Sequence, residues 1–155
     1  MRIYNCFGKE LFTSRATVAK ESYYKIGQDN KKHINWESEF GDEHGFDKRN
    51  IEENGYYYIE ISLPRDTIII RYGSEDGSYT TPEGSEYEEL GLPYIKEEVQ
   101  FHKYKVKADS ITVYCKVDKG KVAPIFDSPG GAIQYYHKDQ SIGDLVDDKI
   151  LERII

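Results

Sequence analysis

Residues 67–84 read TIIIRYGSEDGSYTTPEG. The first six form a β-branched apolar run, a length that suits a strand and is short for a helix. Residues 73–84 are rich in Gly, Ser, Thr and Pro, so they read as a long loop. Working outward, YYYIEISL (56–63) alternates in part and predicts a second strand, with a turn at 64–66. EEVQFHKYKV (97–106) alternates with an apolar face that switches partway along, and SITVYCKV (110–117) is a good strand sequence. Residues 124–131 read as another turn-rich loop, leading into a short strand at 131–137. Ser141 is a natural N-cap for a helix within 139–148, with Ile142, Leu145 and Val146 at helical spacing. The tail ILERII (150–155) fits a final strand or a helical end. Toward the N-terminus, 17–24 suits a short helix, 27–32 a polar turn, and EFGDEH (39–44) a solvated loop. The predicted class is α+β: a mainly antiparallel sheet with a few short helices. Nothing alternates strand and helix long enough for βαβ units.

The chain has 155 residues, which suits a single core. It is polar, with 38% hydrophobic and 32% charged residues, but 14 tyrosines and 6 phenylalanines supply buriable area in strands. The formal net charge of −7 argues against nucleic acid as the partner, since phosphate backbones need a concentrated basic face. A small anion in a locally positive pocket remains compatible. The two cysteines, Cys6 and Cys115, make no disulfide framework; they are expected as reduced thiols, Cys115 within a strand. No apolar run approaches the ~18 residues of a membrane span, and MRIYNCFGKELF (1–12) is too polar for a signal peptide.

Two segments can carry chemistry. Arg71 ends an apolar strand just before a glycine-rich loop, and a guanidinium there can grip a diphosphate while Gly73 and Gly77 let backbone amides approach. The competing reading pairs Arg71 with an acidic neighbour such as Glu75. In APIFDSPGGAIQYY (123–136), a tight Pro-Gly-Gly turn precedes Gln134. Its amide must be satisfied, either by backbone or by a polar ligand. His102 lies in a predicted strand, where a structural role competes with a functional one. His33 and His44 sit in polar loops, and no His/Cys/carboxylate cluster has metal-site spacing. No Gly-x-Gly-x-x-Gly, P-loop or Gly-x-Ser-x-Gly sequence is present.

RYGSEDGSYTTPEG (71–84), YEELGLP (87–93), APIFDSPGGAIQYY (123–136) and SIGDLVDDKIL (141–151), in that order, resemble the tuberculosis necrotizing toxin family. Trp36 followed by Gly45 and Phe46 fits the same pattern, so the resemblance covers residues 34–155. It implies a toxin domain at 34–155 with an N-terminal extension or helical lead-in at 1–33. It further implies hydrolysis of NAD+ or NADP+ as substrate to nicotinamide and ADP-ribose, with no required cofactor. A cognate immunity protein and a secreted effector acting in a target cell's cytoplasm also follow from it. The implied catalytic set is Gln134, Arg71, Tyr79 and His102; the implied substrate-binding set is Arg71, Tyr72, Gly73, Ser78, Tyr79 and Gln134. There are departures. The family's Arg before Leu-Pro is replaced within Leu90-Gly91-Leu92-Pro93, with Arg65 or Lys103 as possible substitutes. Thr81 stands in place of Ser before Pro82, and the turn is SPGGAIQ.

The chemistry suits such a residue set. Nicotinamide leaves as a neutral molecule, so no strong general acid is needed; the demand is to stabilise an oxocarbenium-like ribose and position water. Two rival readings stand beside it. Glu86-Tyr87-Glu88 has the Glu-x-Glu spacing of an ADP-ribosyltransferase, and the acidic balance suits a non-enzymatic immunity or binding protein.

Overall fold

A computed structural model describes residues 17–108 and 114–155. Among the described residues, nine antiparallel strands lie in two sheets, with one short α-helix and three single 3-10 turns, in agreement with the α+β expectation. The strands are β1 (Tyr24–Ile26), β2 (Lys32–Ile34), β3 (Tyr58–Ser62), β4 (Ile68–Tyr72), β5 (Tyr79–Pro82), β6 (Phe101–Val106), β7 (Lys116–Lys121), β8 (Ile133–Tyr136) and β9 (Leu151–Ile154). Strands β1 and β2 form a hairpin of their own; the other seven make one sheet in the order β3-β7-β8-β5-β4-β6-β9. The hairpin spans residues on both sides of position 33, pairing Tyr24 with Ile34.

Sheet pairing explains both the successes and the errors of the sequence reading. Strands β3, β4, β6, β8 and the helix α1 (Ile142–Asp147) fall where pattern predicts. Ser141 caps α1, its side chain accepting from the Asp144 N–H. The tail forms β9, the strand alternative. The loop expected at 73–84 is half wrong: β5 is a central strand pairing β4 and β8. Its Thr80 and Thr81 are buried, and flanking Gly, Ser and Pro hid two β-branched residues. Strand β7 also begins later than expected and runs through the charged KVDKGK. Ladders on both sides hold it there, to β3 and to β8. Cys115 is therefore not in a strand but just before one; its C=O accepts from Leu63 N, and the thiol is buried. The expected residues 110–113, like Cys6 and the segment 1–12, lie outside the described residues. The helix expected at 17–24 is a single 3-10 turn, Glu21–Tyr23, that leads into β1; none of its residues is buried, so no packing extends it.

One face of the large sheet carries the core. Ile69 pairs with Tyr104, Lys119 with Tyr135 and Val106 with Leu151, and α1 covers this face through Ile142 and Leu145. Burying such side chains stabilises by about 1.5–3 kcal/mol each. The opposite face carries Ile70 beside Thr81, and Gln134 beside Gly120. Phe46 is fully buried there and stacks on Tyr58. A Cβ on Gly120 would meet Tyr57 O at 2.6 Å and the Phe46 ring at 2.7 Å. Backbone cannot yield as a side chain can, so Gly120→Ala is expected to lower stability by about 1–3 kcal/mol. Urea unfolding checks this; an unchanged midpoint would contradict the close approach.

Candidate active site

A cavity of about 920 Å³ opens on the face away from α1. Its wall includes Arg71, Tyr72, Gly73, Tyr79 and Gln134 from the predicted set. Ser78 and His102 are not part of the wall. Ser78 instead lends its carbonyl to the His137 N–H. His102 pairs with Arg71 across β4 and β6, on the core-facing parity of Ile69 and Tyr104, and bonds Gln100 Oε1 at 2.9 Å. Burial lowers the His102 pKa, opposed by the charge of Glu75.

Gln134 reconciles its two sequence readings. Its Nε2 donates to His44 O at 3.0 Å, so backbone does satisfy the amide, yet the side chain lines the cavity. One Nε2 N–H is taken by His44 O, and Oε1 has capacity to accept from a donor in the cavity. Tyr79 stacks on Tyr136 with centroids 5.0 Å apart, and its hydroxyl lies 3.3 Å from His44 Nδ1. Burial pushes the Tyr79 phenol well above its ordinary pKa, so it keeps its proton.

Arg71 is anchored rather than free. Nε donates to Ser74 O at 2.6 Å and Nη1 to Tyr79 O at 2.9 Å. The pairing with Glu75 does not form; Glu75 instead takes Arg153 at 2.6 Å and the Tyr104 hydroxyl at 2.7 Å. Burial lowers the Arg71 pKa from its ordinary value, a cost that two carbonyl acceptors offset.

Sequence reasoning missed the segment 39–44. It is not a solvated loop: Asp42, Glu43, His44 and Gly45 form part of the cavity wall. Asp42 Oδ1 accepts from both the His44 and Phe46 N–H groups at 2.9 Å. The acidic composition disguised a turn held by one carboxylate. The available signal was Asp42 followed by Gly45 and Phe46, an Asx-type turn pinned by a buried aromatic.

The family model for the tuberculosis necrotizing toxin matches residues 62–154. This chain belongs to the tuberculosis necrotizing toxin family. The conidial surface nicotinamide adenine dinucleotide glycohydrolase of Aspergillus fumigatus is 30% identical over 95 residues, 60% of this chain and 40% of that protein. The chain thus spans well under half the length of that relative. The solved structure of tuberculosis necrotizing toxin complexed with its immunity factor matches with a TM-score of 0.59 at 17% identity, covering 96% of this chain and 74% of that one. That likeness is one of fold.

Against the toxin-family pattern, Leu90 lines the cavity near where the expected Arg would stand. Neither proposed substitute reaches it: Arg65 donates to Lys107 O at 2.7 Å and Lys103 pairs with Glu83 at 2.8 Å, and neither is on the wall. Among the described residues, the Lys and Arg side chains on the wall are Arg71 and Lys32. Lys32 pairs with Glu21 on the β1–β2 hairpin. The Glu-x-Glu carboxylates, Glu86 and Glu88, lie off the wall.

Beneath Arg71, His137 is almost wholly buried at 1% exposure. Its Nε2 lies 2.7 Å from Thr80 Oγ1. Desolvation, then the charge of Arg71, holds its pKa down at about 3, against 6.5 when unperturbed. Between those values the unfolded chain binds a proton that the folded chain refuses. Stability is therefore full above pH 6.5 and declines as pH falls toward about 3, with a slope of up to about 1.4 kcal/mol per pH unit. His137→Gln keeps an amide toward Thr80 and cannot titrate. Urea unfolding at pH 7 and pH 5 is expected to give a flatter pH dependence for the variant; an unaltered slope would exclude His137 as its source.

Proposed function

We propose that the chain is an NAD+ glycohydrolase toxin domain, cleaving the nicotinamide N-glycosidic bond of NAD+ or NADP+. The observation that most supports this reading is the meeting of Arg71, Tyr79 and Gln134 on one cavity in a chain of this family. The name of the A. fumigatus relative points the same way.

In the reaction, the C1′–N bond breaks and its electron pair leaves on the nicotinamide nitrogen, which becomes neutral. Water oxygen bonds to C1′, and its proton passes to solvent. The site's work is orientation and stabilisation of the cationic ribose. Arg71, pinned at Nε and Nη1, offers its remaining N–H groups to the diphosphate. Tyr79 packs on the nicotinamide riboside, and Gln134 accepts a hydrogen bond from the ribose or the attacking water. Lys32 lines the same wall from the lead-in (1–33) beside the catalytic unit at 34–155, and exchanging its partner Glu21 for the diphosphate would bring a second positive charge to the substrate. Tyr72 and Gly73 complete the binding wall. His102 and Ser78 act from behind it, His102 beside Arg71 and Ser78 within the loop that Arg71 holds. No cofactor is required. We further read the chain as a secreted effector acting in a target cell and held in check by a cognate immunity protein.

Nicotinamide release by purified protein, measured with NAD+ and NADP+, tests the activity; no release at high enzyme concentration would refute it. Gln134→Ala is expected to lower kcat at least a hundredfold, roughly the loss on removing one transition-state contact. A separate measurement concerns charge. Lys32→Ala is expected to raise KM several-fold at low salt with kcat nearly kept, and the difference should shrink as salt screens it. An equal KM for variant and wild type at low ionic strength would remove Lys32 from the diphosphate site.

A further inference from the structure

His44 touches two residues of the candidate site from one position. Its carbonyl accepts from Gln134 Nε2 at 3.0 Å, and its Nδ1 lies 3.3 Å from the Tyr79 hydroxyl. The imidazole is held flat against Tyr136, with centroids 4.2 Å apart and planes 22° from parallel. Its backbone is fixed by Asp42 Oδ1 on one side and by buried Phe46 on the other. Few rotations are open to a ring so constrained.

This arrangement decides which atoms the site offers. Gln134 donates one of its two amide N–H groups to the His44 carbonyl, which fixes the plane of the amide, and its Oε1 is the acceptor it can offer to the cavity. Tyr79 keeps its phenol proton, and when Nδ1 is the acceptor that proton is committed to His44. The oxygen lone pairs of Tyr79 then remain for an incoming group.

We propose that His44 is a positioning residue that sets the polarity of the site, so that Tyr79 and Gln134 both present oxygen lone pairs to the reacting ribose. The inference rests on the NAD-cleaving reading above. Breaking the C1′–N bond develops positive charge on the ribose ring, and preorganised lone pairs stabilise that charge while accepting from ribose hydroxyls. In the opposite tautomer, Nδ1–H would donate to Tyr79, which would turn the hydroxyl proton toward the same charge and oppose its development.

The test separates an acceptor from a packing group. His44→Phe keeps a ring to stack on Tyr136 and removes the acceptor; His44→Asn returns a side-chain carbonyl near the Nδ1 place. The Phe variant is expected to lose about ten- to a hundredfold in kcat, with KM changed less than about threefold. The Asn variant is expected to recover most of that loss. A Phe variant with wild-type kcat, or an Asn variant as slow as Phe, would overturn the proposal. Nitrogen-15 NMR of histidine-labelled wild-type protein gives a readout that turnover does not move: the expected form of His44 is Nε2–H with Nδ1 unprotonated. Nδ1–H in an active chain refutes this inference, whereas a wild-type chain that cleaves no NAD+ refutes the functional reading on which it rests.

Discussion

The guanidinium of Arg71, bound to the carbonyls of Ser74 and Tyr79, governs how the centre of the sheet connects to the cavity. These two bonds draw the chain that follows β4 back over its own side chain. They fix where β5 begins, and Tyr79 is the first residue of β5. Tight space enforces the same path. A Cβ on Gly77 would stand 2.0 Å from Arg71 Nη2, so no side chain fits between loop and guanidinium. A desolvated cation held by carbonyls is costly to disturb, because losing either acceptor weakens the compensation of a buried charge. Arg71 thus has two roles that do not compete: some of its N–H groups hold the loop, and the others remain for what the loop encloses.

The sheet divides its labour by face. One side meets α1 and is packed with aliphatic and tyrosine side chains. The other meets the 39–46 turn, whose Phe46 is pressed onto Gly120 and Tyr58. Gln134 belongs to the second side, on a strand flanked by β7 and β5. A residue there inherits the rigidity of ladders on both edges, which suits a group that must hold a fixed direction. The turn itself contributes through backbone as much as side chain, since the contact that orients Gln134 is a carbonyl.

How much of this is legible in sequence depends on whether the cause is local. The runs that form β4 and β8, and the Ser141 cap of α1, carry their own pattern of burial and capping, so they read correctly. Strands β5 and β7 do not. Their residues are Thr, Pro, Lys, Asp and Gly, and what makes them strands is a partner on each side rather than alternation. Gln134 and Tyr79 are found as site candidates only through ordered motifs, and geometry then brings them to one cavity. His44 eludes sequence altogether: it meets Gln134 across 90 positions of chain. His102 shows the converse, since a matching motif position stands beside Arg71 on β6 and yet is not on the cavity wall.

Among the described residues the seven-stranded sheet is open, with β3 and β9 at its two margins. On β3, Glu60 faces Asp118 directly, and Lys138 bridges the two carboxylates at 2.5 and 3.0 Å. On β9, Glu152 pairs with Lys107 and Arg153 with Glu75. A second sheet added at either margin would have to meet or bury these charges. Edges studded with ions resist strand-to-strand growth, so the margins of this tyrosine-rich sheet are guarded by charge rather than by closure into a barrel.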